Sequence, residues 1–439
     1  MPSYKKSLIF CFLLIFFVAC SSKSIEVEKK EESKVEKKLV EVKLKKFELE
    51  NEYIILALEM ESQGYYFDAK DFYLELFKKT NNYEYLEKFL AISTQLKDYE
   101  TVKNFVQSYY LSNIKQEEIL LRLYTFSLFK LENQQEALLN GEKLINLFPR
   151  DVNYELVATI YVQEKKYEKT YELFGKAFEL NKSVSTFTNL TNIQYFHLSQ
   201  KHEAIKKIEE FVKVNGYDFN LSMQLLSFYD KEELDENIVP VLKEMYFDFK
   251  NKNLIQELSK TKILLVKYLA KDNVGAAIEF LEENKEEDEI LLNLYRITNQ
   301  PQKAYNLLGD LYDNSKNLDY LAQQAIIQFE MAEDKTKVVN DVIAKLERVS
   351  ITNNPIFENY LAYIYIDYNI NLKRGVFLVK KALEQDPKNI AFLDTLAWGE
   401  YKLKNCKEAF KQMKKVIDEV GLDDAEIKMH WHKIKECKK

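Results

Sequence analysis

The chain has 439 residues, of which 63 are basic and 70 acidic, for a net charge of −7; 46% are hydrophobic and 30% charged. That is enough apolar material for a sizeable core, and the negative sign disfavours non-specific binding to nucleic acid. Nine Gly and six Pro in the whole chain are too few for a protein rich in β-turns and point to long helices joined by short turns.

The first element is an apolar run from Leu8 to Ala19. As a helix it would reach about 18 Å, against about 30 Å of membrane hydrocarbon, so it is too short to span. Lys5 and Lys6 in front, the apolar stretch itself and the small Ala19 at its end are the parts of a secretory signal, residues 1–19. The next step is Phe17-Val18-Ala19-Cys20, which resembles the lipobox of bacterial lipoproteins, with Phe17 standing where that family has Leu. The resemblance implies cleavage before Cys20, lipidation of that cysteine and an outer-membrane address read from Ser21, with the body facing the periplasm. Two or three acyl chains, at about 0.8 kcal/mol per buried CH₂, make such an anchor effectively permanent. Loss of residues 1–19 removes Lys5 and Lys6 and no acidic residue, taking the net charge from −7 to −9.

Residues 20–48 follow as a charged tether. From Lys23 to Glu48 the chain alternates Lys and Glu and has no aromatic residue before Phe47. It reads as a solvated spacer, up to about 90 Å when extended. The other reading makes its C-terminal part a first amphipathic helix of the body.

The body is periodic. Two C-terminal stretches, RGVFLVKKALEQDPKN and IAFLDTLAWGEYKLKNCKEAFKQMKKV, resemble the tetratricopeptide repeat (TPR), a helix-turn-helix unit of about 34 residues. Its pattern has large residues at positions 4, 7, 11 and 24, small ones at 8, 20 and 27, and Pro at 32. With Ala409 at position 20, Leu393, Leu396 and Ala397 fall on 4, 7 and 8, and Met413 and Val416 on 24 and 27. Gly375, Ala382 and Pro387 take 20, 27 and 32 of the preceding unit. Glu400 at position 11 breaks the pattern, and Tyr401 beside it is expected to take over some of the packing. Upstream, Thr170 at 20 places Tyr154, Val157, Ala158, Tyr161, Phe174 and Ala177 on the diagnostic positions. Ala69, Val102, Ala137 and Ala204 continue the register. Ile238, Ala276, Ala304 and Val338 are the candidates for position 20 in the less regular middle.

The resemblance implies an all-α solenoid, a superhelix of about eleven TPR-like helix pairs with a C-terminal capping helix. Residues 49–214 form regular N-terminal repeats, 215–350 degenerate ones, and 351–439 the C-terminal repeats and cap. Small residues let neighbouring pairs approach, so stacking buries what one pair alone exposes.

In this family the ligand face is the concave one, built from the first helix of each pair. Carried onto this chain, the candidate groove is Arg122, Phe126, Phe129, Val162, Ile193, Phe196, Tyr363, Trp398 and Tyr401. Aromatic anchors with polar rims suit a peptide or helix; the alternative, that each aromatic packs on a neighbouring helix, stays open. The implied partners are proteins of the cell envelope, with the membrane reached through Cys20. The second reading is a module that binds an envelope polymer, peptidoglycan or another glycan, without catalysis.

No motif for catalysis is present: no HExxH, no phosphate loop and no GxSxG. Neither an enzyme nor a cofactor is expected. His430 and His432 are read as pointing to one side of a helix without a third ligand, so no metal site is assigned. In the repeat register Cys406 and Cys437 fall in neighbouring turns. A disulfide closing that 31-residue gap is one reading and two free thiols the other.

Overall fold

The computed structural model describes residues 46–110 and 117–437; the signal segment, Cys20 and the tether up to residue 45 lie outside them. Among the described residues there are 23 α-helices and no strand. They form two compact units, one ending at Pro149 and the other beginning at Arg150.

The first unit holds three pairs: α1 (Glu50–Ser62) with α2 (Tyr66–Thr80), α3 (Tyr83–Gln95) with α4 (Tyr99–Tyr110), and α5 (Glu118–Lys130) with α6 (Gln134–Leu147). The second holds eight pairs and a last helix. These are α7 (Asp151–Gln163) with α8 (Tyr167–Asn181), α9 (Val184–Phe196) with α10 (Lys201–Asn215), and α11 (Phe219–Lys231) with α12 (Ile238–Asn251). Next come α13 (Ile255–Asp272) with α14 (Val274–Glu283), α15 (Glu289–Ile297) with α16 (Pro301–Ser315), and α17 (Leu318–Met331) with α18 (Val339–Val349). α19 (Pro355–Asp367) with α20 (Leu372–Gln385), α21 (Ile390–Lys402) with α22 (Cys406–Val420), and α23 (Ala425–Cys437) complete the chain. Within each unit every helix packs on the next, and α3 with α5, α9 with α11, α19 with α21 and α21 with α23 also meet as neighbouring first helices. The fold is an all-α solenoid of TPR-like pairs.

The register explains the stacking. The fourth residue of the second helix is buried in pair after pair: Ala69, Val102, Ala137, Thr170, Ala204, Ala277 and Ala409 are fully buried, and Ala304 is 1% exposed. Ile238 holds the same place when the count starts at the 3-10 turn Asp235–Asn237. Gly375 is the extreme case, because an added Cβ would lie 2.9 Å from the Ala362 carbonyl oxygen and 2.7 Å from Ile366. α19 and α20 approach too closely there for any side chain. One middle assignment needs correction: Ala277, not Ala276, is fourth in α14; Val338, like Ile238, is fourth when the count starts at the preceding 3-10 turn, Lys335–Lys337, but it is half-buried, and Val342, fourth in α18 itself, is fully buried.

Helix length causes the irregularity. Eight of the first helices have 13 residues, but α13 has 18 and α15 has 9. The long one stretches the interval from Ile238 to Ala277, and the short one shrinks the interval from Ala277 to Ala304. Turns show why so few glycines suffice. Most pairs reverse through one residue at positive φ, including Lys97, Glu132, Lys165, Ser199, Asn299 and Lys404, with Gly64 the lone glycine in this role among the described turns between paired helices. A left-handed non-glycine residue costs about 1–2 kcal/mol, which the packed helices on either side offset.

Tyrosines near the end of these first helices add polar ties. Tyr195 donates to Glu232 at 2.6 Å, Tyr295 to Glu282 at 2.8 Å and Tyr365 to Glu347 at 2.8 Å. Each glutamate also pairs with a cation, Lys201, Lys303 and Arg374 respectively. A buried hydroxyl is thereby satisfied, and adjacent helices are linked, by one charge-assisted unit. Burial and the Glu347 carboxylate together push the Tyr365 hydroxyl up to about 12.

Candidate functional site

In the first unit α5 carries Arg122, Phe126 and Phe129. The spacing places Phe126 and Phe129 one turn apart on the helix, both half-buried. The Phe126 ring meets Tyr99 edge-on at 6.0 Å, and the exposed Lys130 ammonium sits 5.2 Å from Phe126 and 5.4 Å from Phe129. Arg122 pairs with Glu118 at 3.0 Å. The result is an aromatic ridge with cations beside it.

In the second unit Val162 on α7 is half-buried, while Phe196 at the end of α9 is 53% exposed. Phe196 is propped from behind by Tyr195 and Phe228, at 4.8 and 5.6 Å. Ile193, assigned to the groove from its register position, is instead buried at 6% exposure. It faces the packing side of α9, and its place as an anchor falls away.

The C-terminal candidates converge, but inward. Trp398 is 6% exposed, stacked between Tyr401 at 5.0 Å and His430 at 4.2 Å, with its indole N–H donating to Asp367 Oδ1 at 3.0 Å. It is therefore a core residue and not a groove anchor, because α23 lies across α21 and covers it. Tyr401 is half-buried against the same ring, and Tyr363 is half-buried as well. Burial and a hydrogen bond to Glu426 raise the pKa of the Tyr363 hydroxyl. Glu400 breaks the sequence pattern yet remains buried, at 3% exposure. Its oxygens are taken by Lys380 at 2.7 Å and by Asn405 at 2.6 Å, so an ion pair fills a place that the pattern reserves for a large side chain.

The two C-terminal histidines part company. His430 is fully buried and His432 exposed, since residues two apart on a helix point about 200° from one another. The reading that placed them on one side is corrected on that ground. His430 Nδ1 lies 3.0 Å from both oxygens of Asp394. Among the described residues no three His, Cys, Asp or Glu side chains gather as a metal site. Cys406, at the start of α22, and Cys437, at the end of α23, are joined, with Cα atoms 5.6 Å apart.

One cavity was not foreseen. An open cleft of about 380 Å³ on α8, α9 and α10 is lined by Phe178, Phe187, Leu190, Phe211 and Val214, with Lys207 at its rim. Most of its lining comes from the second helices α8 and α10, where the repeat pattern directs attention away from ligand contact.

No family model matches the chain, and no curated protein is similar to it. Among solved structures, the chain is similar to a tetratricopeptide repeat protein from Parabacteroides merdae, at 14% identity over 57% of this chain and 98% of that one, TM-score 0.38. It is also similar to the C-terminal part of a TPR repeat-containing protein from Cytophaga hutchinsonii, at 12% identity over 60% and 95%, TM-score 0.39. A third is a Naa15/Naa10 complex bound to HypK, at 14% identity, where the match covers 88% of this chain and 66% of that one, TM-score 0.33.

Proposed function

We propose that this chain is a protein-binding scaffold, lipid-anchored through Cys20 to the outer membrane and facing the periplasm, where it holds partner proteins in the assembly or upkeep of an envelope complex. The observation that supports it is first-helix aromatics that are not closed off by packing in either unit: half-buried Phe126 and Phe129 beside Lys130 in one, and exposed Phe196 in the other. Aromatic rings held rigid from behind lose little entropy when a partner covers them, and neighbouring charges set orientation. No step of chemistry is required of the chain.

The lipid and the partner are tested separately. Growth with labelled palmitate is expected to label the wild type and not Cys20→Ala. Cross-linking from membranes is expected to recover a partner protein whose yield falls at least tenfold with Phe126→Ala and Phe196→Ala combined. Sedimentation of the purified chain with cell-wall material, lost in that same double variant, would instead support the envelope-polymer reading and overturn the protein scaffold.

A further inference from the structure

The two faces of α1 differ in what meets them. Glu50, Ala57 and Glu61 recur at i, i+7 and i+11, a single stripe of the helix. It turns to the body: Ala57 is fully buried, Glu50 accepts from Tyr85 at 2.6 Å, and Glu61 accepts from Tyr73 at 2.9 Å and pairs with Lys88 at 3.5 Å. The opposite stripe is Glu52, Ile55 and Glu59, flanked by Leu56 and Leu58. There Ile55 is 63% exposed, Leu58 50% and Leu56 39%. A helix apolar on its outer side as well as its inner one gains from being covered.

Other helices do not share this face. Among the described residues α3 exposes no large hydrophobic side chain, and α5 exposes Ile119 alone. The last helix of the second unit, α23, presents Lys428, His432, Lys433 and Lys435 to solvent, with Met429 its one exposed large apolar residue among those described. A polar outside of that kind is what the end of a helix stack needs in water. α1 lacks it.

Charge decides what fits. α1 carries four glutamates and no basic residue. Among the described residues Glu52 makes no ion pair or hydrogen bond through its side chain, and the Glu59 carboxylate takes only the neutral Gln63 amide, at 3.1 Å. A second copy laying its own α1 here would set glutamate against glutamate, and an anionic lipid surface would be repelled. The complementary surface joins apolar side chains to lysine or arginine, and the ridges of one helix accept those of another. We infer that the outer face of α1 docks a basic amphipathic helix of a partner protein, with apolar residues on Ile55, Leu56 and Leu58 and cations beside Glu52 and Glu59. α1 has 13 residues, so the matching segment is about 20 Å long. The inference rests on the reading of the chain as a protein scaffold and adds a surface apart from Phe126 and Phe196.

The probe is a synthetic helical peptide of that length, with leucines at i, i+3, i+4 and i+7 and lysines elsewhere, titrated against the full chain by fluorescence anisotropy. It is expected to bind at least ~10-fold more tightly than a copy with glutamate for every lysine, and the advantage should shrink at high salt. Glu52→Gln with Glu59→Gln should remove most of that advantage. Ile55→Gln with Leu58→Gln, like the first pair at exposed positions, should weaken the lysine peptide at least ~10-fold. Equal affinity for the two peptides would overturn the inference, as would an affinity that either double variant leaves unchanged. A concentration-dependent dimer of the chain by itself, abolished by Ile55→Gln with Leu58→Gln, would give the face to a second copy and equally overturn it. Loss of the lysine peptide in Phe126→Ala, with both α1 variants binding normally, would move the peptide to the scaffold groove: the α1 docking face would fall and the scaffold reading stand. That reading fails by a separate route, when cross-linking recovers no partner that depends on Phe126 and Phe196.

Discussion

Two stretches of the second unit solve the same stacking problem by different chemistry. At the C-terminal end, α19 to α23 keep regular lengths and are joined by shape: Gly375 lets α19 and α20 touch, Trp398 fills the space under α23, and Cys406–Cys437 closes the end. In the middle, α13 is long and α15 short, so the apolar layers lose step. There a polar knot takes over. Lys262 on α13 lies 2.8 Å from Glu286 and 2.6 Å from Asp288, Lys250 of α12 lies 3.1 Å from Glu286, and Asp288 also accepts from the Ile290 and Leu291 N–H groups that begin α15. Ion pairs adjust to a shifted helix end more readily than a close-packed contact does. The comparison teaches that variable helix length in a solenoid is tolerated where charged side chains bridge the misfit.

The largest effect should come from breaking the shape-based end. Trp398→Ala removes the ring on which Tyr401 and His430 stack and is expected to cost ~3–5 kcal/mol. Because the coupling in a stack runs between neighbours, the loss should be local. Hydrogen exchange is expected to accelerate in α19 to α23 and remain unaltered in α11 to α14; uniform acceleration would show that the two regions are one cooperative block. Cys437→Ser is next. It opens a 31-residue loop and should cost about 3–4 kcal/mol, read as earlier denaturant unfolding of α22 and α23. Reduction of the wild type should reproduce it, and leave the middle pairs untouched.

The polar knot is expected to respond to pH, which sharpens the contrast. Burial alone would raise the Glu286 pKa, but hydrogen bonds from Lys262, Tyr246 and Lys250 outweigh it and hold the carboxyl at about 2. A carboxyl depressed on folding contributes stability that is fully present above its ordinary value near 4.5, and that is lost as pH falls toward 2. Glu286→Gln should therefore cost ~1.5–3 kcal/mol at neutral pH. The gap between wild type and variant should narrow between pH 4.5 and 2. A gap constant over that range would mean that the knot is held by packing and not by its charge.

Much of this architecture was legible in the residues. Small side chains recur because close helix approach demands them, and Thr170, Ala204 and Ala409 sit in the structure where the register puts them. The register failed by one residue at Ala276, beside a change in helix length that a fixed period cannot represent. The inward fate of Ile193 and Trp398 was not legible, since the same position on a first helix is open or covered according to what packs beside it. Nor was the knot at Glu286, whose members come from three segments: Tyr246 and Lys250 on α12, Lys262 on α13, and Glu286 with Asp288 between α14 and α15. The exchange of a buried large residue for the Glu400–Lys380 pair has the same cause, a partner 20 residues distant in sequence.

The smallest effect isolates what the two regions share. Lys285, between α14 and α15, and Lys404, between α21 and α22, both hold positive φ, at 55° and 69°, in turns of the same kind. A side chain there carries a steric penalty that glycine lacks, so Lys285→Gly and Lys404→Gly should each stabilise by ~1 kcal/mol. Lys404 also sits 5.8 Å from the Tyr401 ring, and loss of that exposed contact should trim the gain by about 0.5 kcal/mol. Near-equal gains in denaturant unfolding would place the difference between the regions entirely in their side-chain layers. A gain at Lys404 with none at Lys285 would mean that the middle turns are relaxed by the same misfit that the polar knot spans.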